Sequence, residues 1–376
     1  MLKKLIILMV LTSFYTSAYA LIKNNDAYPS DLASSNAAMP DETLDGNREN
    51  ARLETPRNLL LSPDKDHLLL FDNNGYGMRL VDRQGTVTTT KVELHRYPKY
   101  DLKEYKAGNM LLADSANNTI IQVSPDYTPY LFAGKRLTGV ESDAKLMQNI
   151  TGENNKAISS SLISEAEFNI PINITAIDDK GWILIDSMFD NILRFIDTKG
   201  VITQVKGLES LADAERVTVL RKNKDNLYLL GEQNVYKIAF DPKTKSANIV
   251  SQWNNSTVSG ALQFHRLTGI AFDDKQIVVA DEASGMILEL HPDNTTKALY
   301  QIPCSSLTYH ASICETENPN DDSMFTSYGD IIKNPWDKGF IVSDSGMNVL
   351  YKFSDGQLSL FTGQLKDSSY LKYSLK

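Results

Sequence analysis

Cysteine is almost absent from this chain: Cys304 and Cys314 are its only two. With His310 between them they fall short of a four-ligand zinc set. In an oxidising compartment two close thiols pair, so a local Cys304–Cys314 disulfide is expected. Histidine is scarce as well. His67, His95, His265, His291 and His310 do not recur at one repeat position. There is no Gly-x-Ser-x-Gly nucleophile elbow, no His-Glu-x-x-His zinc helix and no glycine-rich phosphate loop. Basic charge is in deficit, with 38 Lys and Arg against 47 Asp and Glu and a net charge of −9. That balance argues against nucleic acid or an anionic membrane as partner, since both require clustered cations. Long apolar runs are missing too. The run Leu5–Leu11, extended through Phe14, is well below the roughly 20 residues that span a bilayer, so no membrane span is expected. It follows Lys3 and Lys4 and precedes Ala18-Tyr19-Ala20, which reads as a secretory signal over residues 1–20 cleaved after Ala20. No Cys stands near that point to take a lipid. The expected destination is the periplasm or the medium. Without Lys3 and Lys4 the mature chain goes from −9 to −11.

What the sequence does contain is a repeat. Residues 21–50 are rich in Asn, Ser, Asp and Ala with little apolar periodicity, and read as a flexible leader. From residue 51 onward one pattern recurs. A short apolar strand, a tight polar turn and a second strand ending in Asp are followed by a second turn, an alternating third strand and a fourth strand. Residues 171–205, 267–300 and 329–361 carry it most clearly, and 56–90, 98–132 and 215–250 are weaker copies. The closing Asp is Asp72, Asp114, Asp186, Asp281 and Asp344, with Gly231 in its place in the fourth copy. Successive copies are spaced by 42, 72, 45, 50 and 63 residues. That fits blades of about 40–50 residues once insertions at 135–168 and 302–325 are set aside. Continuous runs such as Ile183-Leu184-Ile185 and Ile277-Val278-Val279 suit strands covered on both faces. A small sheet with two apolar faces cannot bury both alone, so copies pack radially about an axis. The expected architecture is all-β: a six-bladed β-propeller of four-stranded antiparallel blades spanning residues 51–376. Helical turns are expected only in the first insertion, over 143–148 and 158–168.

The segments Gly269-Ile270-Ala271-Phe272-Asp273, Val278-Val279-Ala280-Asp281 and Val342-Ser343-Asp344-Ser345-Gly346-Met347-Asn348 resemble NHL repeats, as does Ala113-Asp114-Ser115-Ala116-Asn117-Asn118. Leu131-Phe132-Ala133-Gly134 and Leu360-Phe361-Thr362-Gly363 are similar to the segment that ends such repeats in bacterial arrays. The resemblance covers about residues 51–363 and implies the six-bladed fold. Such propellers serve as scaffolds, ligand binders and enzymes alike. The usual Arg after the Asn turn is missing in most copies, where Thr119, Ile192 or Val349 stands instead.

Aligning the copies puts Arg57, Asp101, Asn173, Glu215, Thr268 and Gly329 at the position facing the axial funnel. Asp101, Asn173 and Glu215 carry the oxygen ligands that a hard cation such as Ca²⁺ takes. The arrangement resembles calcium-dependent lactonase propellers, which implies a metal-dependent hydrolase as one function. The alternative is that these groups line a wet channel. Peptide-amidating lyases hold zinc on three axial histidines, whereas the matching positions here are Asn173, Thr268 and Gly329. The long insertions are the stronger functional candidates, because loops of that length commonly bind. Both follow a fourth strand and so share one rim. The favoured expectation is an exported, non-enzymatic binding or scaffold module that meets a protein or glycan partner through these rim loops.

Overall fold

The structure, a computed structural model, describes residues 43–72, 77–93, 102–104, 109–115, 118–134, 160–162, 166–187, 191–211, 215–256, 262–274, 276–301 and 326–364. The signal, most of the leader, Asp101, Cys304 and Cys314 lie outside these residues. Blade 1 is built from β1 (Pro56–Leu61), β2 (His67–Asp72), β3 (Gly77–Asp82) and β4 (Val87–Glu93). Blade 2 holds β5 (Leu102–Glu104), β6 (Met110–Asp114), β7 (Thr119–Val123) and β8 (Pro129–Ala133). After β9 (Ser160–Leu162), blade 3 follows as β10 (Asn173–Ala176), β11 (Gly181–Ser187), β12 (Ile192–Asp197) and β13 (Val201–Gln204). Blade 4 comprises β14 (Val219–Asn223), β15 (Asn226–Leu230), β16 (Asn234–Asp241) and β17 (Ser246–Asn254). Blade 5 comprises β18 (Leu267–Phe272), β19 (Ile277–Asp281), β20 (Met286–Leu290) and β21 (Thr296–Gln301). Blade 6 comprises β22 (Tyr328–Lys333), β23 (Phe340–Asp344), β24 (Val349–Ser354) and β25 (Gln357–Thr362). Each blade is an antiparallel sheet in sequence order. The first strands β1, β5, β10, β14, β18 and β22 are neighbours of one another around a closed inner ring.

The apolar runs of the second strands explain the ring directly. Successive side chains of a strand point to opposite faces. In β2, Leu68 and Leu70 pack towards blade 6 with Ile341 and Leu350. The intervening Leu69 and Phe71 pack towards blade 2 with Met110 and Leu112. The same division holds in β11, where Trp182 and Leu184 join blade 2 residues Leu111 and Ile120, and Ile183 and Ile185 join blade 4 residues Leu227 and Leu229. Six such clusters fill the six junctions, one between each pair of neighbouring blades. Fully burying one Leu or Ile is worth about 1.5–3 kcal/mol, so the hydrophobic stabilisation resides between blades rather than within them.

Ring closure uses the same packing, with no exchanged strand among the described residues. It is reinforced by asparagines that follow the second strand and sit at positive φ, at +54° for Asn118, +50° for Asn191 and +58° for Asn348. Each accepts a backbone N–H from the approach to the next blade: Ile170 N to Asn118 Oδ1, Val217 N to Asn191 Oδ1 and Thr55 N to Asn348 Oδ1, all at 2.8 Å. The last of these joins blade 6 to blade 1. Thr43–Asn50, the end of the stretch read as leader, joins the disc. Leu44 bridges Arg52, Gly46 bridges Val87 of β4, and Arg48 Nη2 donates to Leu360 O at 2.5 Å.

The outer strands solve an edge problem. An exposed regular strand edge templates pairing with another chain, and a β-bulge blunts it. The register slips between the third and fourth strands in blades 1, 2, 4, 5 and 6. Blade 3 has no such slip. There β9, contributed by the first insertion, pairs antiparallel with β13, with Ser161 opposite Ile202. The helical turn expected over 158–168 is therefore replaced, at Ser160–Leu162, by a strand. The unpaired β13 edge supplies the hydrogen-bond partners that override local helical periodicity.

Candidate functional site

Because four antiparallel strands alternate in direction, the first strand of each blade begins, and the second and fourth end, on one face of the disc, the upper face. The aspartates that close the second strands organise it. Asp186 accepts Asn169 N at 2.9 Å, and Asp281 accepts His265 N at 2.8 Å and Arg266 N at 3.0 Å. Asp344 accepts Ser327 N, Gly346 N and Met347 N, each at 3.0 Å. Each thus ties the approach to its own blade's first strand. Asp72 and Asp186 are also paired with arginine, with Arg79 Nη1 and Arg194 Nε, both at 2.8 Å. In blade 3 the arginine stands two residues beyond the Ile192 position, which is why the repeat pattern hid it. Burial pushes the Asp72 carboxyl up to about 7 against the Arg79 guanidinium and the Glu54 N–H, which favour the charged form. Burial raises Asp186 too, opposed by Arg194. Asp344 is pushed up by burial to about 6 and is held back only by N–H and hydroxyl donors.

Blade 4 has Gly231 instead of an aspartate, and Glu215 substitutes for it. A Cβ on Gly231 would come within 2.3 Å of Glu215 Oε1. The Glu215 carboxylate occupies that space, accepting Gln233 N at 2.7 Å and Asn234 Nδ2 at 2.5 Å. The alignment that set Glu215 on the funnel is thus displaced along the chain. The inner strand there, β14, starts at Val219, and the N–H of Thr218 just before it donates to Leu230 O.

On the axis itself, blades 3, 4 and 6 converge. Arg221 of β14 reaches from blade 4 to Asp330 of β22, with Nη2 to Oδ2 at 2.8 Å; the side chains are 11% and 1% exposed. Asn173 of β10 supports it from blade 3. Its Oδ1 accepts Leu220 N at 3.2 Å and Arg221 Nη1 at 3.4 Å, while its Nδ2 donates to Thr218 O at 3.0 Å. Asp330 Oδ2 also accepts Leu59 N of blade 1 at 2.8 Å. Gly269 of blade 5 makes room, since a Cβ there would lie 2.7 Å from Asp330 Oδ1. Of the sequence-predicted oxygen ligands, Asn173 faces this strut, Glu215 caps blade 4, and Asp101 lies outside the described residues. Among the described residues no three His, Cys, Asp or Glu side chains gather as a metal-holding group.

The mouth beside the axis, between blades 5, 6 and 1, holds a charged array that the repeat pattern does not disclose. Arg266 Nε meets Glu282 Oε2 at 2.7 Å, and Arg57 Nη2 lies 3.9 Å from Glu282 Oε1. Ser327 Oγ donates to Glu282 Oε1, and Arg57 Nη2 lies 3.5 Å from Ser345 Oγ. Thr268 turns from the mouth to donate to Tyr328 O at 2.7 Å. Gly329 admits the stem of Arg57, because a Cβ there would meet Arg57 Cγ at 3.0 Å. Two signals for it stood in the sequence, Arg57 at the funnel-facing position and a charge next to the repeat's buried aspartate, Glu282 after Asp281.

No protein family matches the chain, and no curated protein is similar to it in sequence. Solved structures share its fold. Virginiamycin B lyase from Staphylococcus aureus, in a catalytically inactive form with quinupristin, has a TM-score of 0.52 and 13% identity over 86% of this chain and 89% of that one. An auxiliary nutrient binding protein from Bacteroides ovatus has a TM-score of 0.55 and 12% identity over 82% of this chain and 71% of that one. A gluconolactonase-family protein has a TM-score of 0.52 and 10% identity over 88% of this chain and 99% of that one. The chain is a six-bladed β-propeller; at these identities the likeness carries the fold alone.

Proposed function

We propose that the protein is an exported binding module that meets a glycan or protein partner on the upper face of the disc. The observation that carries this reading is topological. The first insertion leaves the disc after β8 and the second after β21, and the chain rejoins it before β10 and β22. All four points lie on the upper face, which also bears the Arg57–Glu282–Arg266 array. The polar groups nearest the axis, by contrast, are engaged with one another through Arg221, Asp330 and Asn173. A disc to which two long insertions attach on one face suits a recognition surface. Shared fold does not choose between the nutrient-binding and lyase neighbours; the loops and the engaged axis favour binding.

Export rests on the signal read over residues 1–20. The test uses the mature chain, immobilised and offered glycan arrays and envelope protein extracts. A retained glycan or protein should be lost when residues 137–157 are deleted, a cut that spares β9. Retention unchanged by that deletion and by a second one over 304–323 defeats the reading. Calcium-dependent turnover of a lactone, abolished by Asp101→Ala, would establish the hydrolase instead.

A further inference from the structure

The mouth between blades 5, 6 and 1 holds two guanidinium groups around one carboxylate. The array of Arg57, Arg266 and Glu282 therefore carries +1, in a chain whose net charge is −9. Glu282 is the fully engaged member, with its side chain 9% exposed. The guanidinium groups are not. The side chains of Arg57 and Arg266 are 43% and 51% exposed. Arg266 commits only its Nε to Glu282, and among the described residues its two Nη groups meet no acceptor. Arg57 is held loosely at 3.5 and 3.9 Å, and its Nε is buried with no acceptor. Yet Arg57 is placed rather than free, because its stem runs over the space left by Gly329. His265 adds a ring whose Nδ1 is buried without a hydrogen-bond partner, 3.6 Å from Asp281 Oδ2.

Guanidinium forks match carboxylates in shape and bind them through two parallel N–H bonds. Glu282 already shows that this mouth accommodates one carboxylate. We infer that it takes a second from outside, the acid group of a uronate-type sugar in a glycan, bound by the free edges of Arg57 and Arg266. The ring hydroxyls of such a sugar find the Ser345 hydroxyl and the Glu282 carboxylate as partners. Two features favour this ligand over the alternatives. With the Asp281 carboxyl beside His265 as well, one added negative charge is the most that the two guanidinium groups offset, whereas a phosphate dianion stays overcharged within an acidic chain. A peptide wants apolar pockets for its side chains, but among the described residues the exposed large apolar side chains are Leu44, Leu131 and Val250, on the N-terminal strap and the outer strands.

This inference rests on the binding reading above and is testable apart from it. Calorimetric titration of the mature chain with trigalacturonate, its methyl ester, the neutral galactose trimer and inorganic phosphate separates the cases. The expected result is binding of the acid trimer alone, weakened about tenfold or more by Arg57→Gln and by Arg266→Gln. Both variants keep a polar side chain, and their melting curves verify the fold. The inference is overturned by no uronate binding at millimolar concentration. It is also overturned by equal binding of the ester or the neutral trimer, by phosphate binding as tightly as the acid trimer, or by affinity unchanged in both variants. If instead an array ligand is lost on deleting the rim loops but ignores both arginine variants, the binding module stands and the uronate site falls.

Discussion

At the scale of single residues, the repeat's aspartates are structural caps with unusual acid–base character. Asp344 is buried, is held by N–H donors of Ser327, Gly346 and Met347, and titrates near 6 because burial disfavours its charge. Between about pH 4, where an unfolded Asp ionises, and pH 6, the native state keeps a proton that the unfolded chain has released. Stability from this group is therefore fully present below pH 4 and falls as pH rises through 6. Comparing wild type with Asp344→Asn isolates the effect, since Asn retains an acceptor oxygen but does not titrate. Urea unfolding should show wild type losing about 2–3 kcal/mol relative to the variant between pH 4 and pH 7. Parallel pH profiles for the two proteins would contradict the assignment. The Asn-turn residues act at the same scale: a side-chain amide in the left-handed region presents its oxygen to the next blade's backbone.

At the scale of elements, edge protection differs from blade to blade. Five outer strands are slipped in register, and β13, which is regular, is covered by β9. Removing that cover exposes a flat edge on which a second copy can pair. The variant Ser160→Pro/Leu162→Pro, and separately Ser161→Pro, remove N–H donors from β9 on its two alternating sides. We expect at least one of them to form larger species than the wild type in light scattering, with the blades otherwise folded, and sizes unchanged in both would show that the β13 edge is protected by other means. The fourth blade makes a related point. Gly231 looks like decay of the repeat, yet Glu215 restores the missing carboxylate from the preceding loop.

At the scale of the whole molecule, the ring is held by packing at its six junctions and by one strut across its axis. Arg221 and Asp330 are separated by 109 residues and join blade 4 to blade 6. Breaking a buried pair from one side leaves an uncompensated charge, which costs about 3–5 kcal/mol. Arg221→Met should destabilise the protein by that order in urea unfolding. The double variant Arg221→Met/Asp330→Asn should recover part of the loss, because the stranded charge is removed. An additive double mutant would mean that the two side chains do not act as a pair.

The sequence by itself determined the fold class, the number of blades and the aspartate that closes the second strand in five of the six blades. Those properties are local: a period of two, a turn composition and a spacing are written within about ten residues of chain. The tertiary structure alone decided which polar groups meet. Asn173 was legible as an axial residue, but its partner Arg221 was not. Glu215 was legible as an oxygen ligand, but not as the replacement for an absent Asp. The Arg57–Glu282–Arg266 array draws on blades 1 and 5, at opposite ends of the sequence, and appears only once the ring closes. Such contacts depend on the angular position of each blade and on the reach of long side chains across it. No short window of sequence encodes either one.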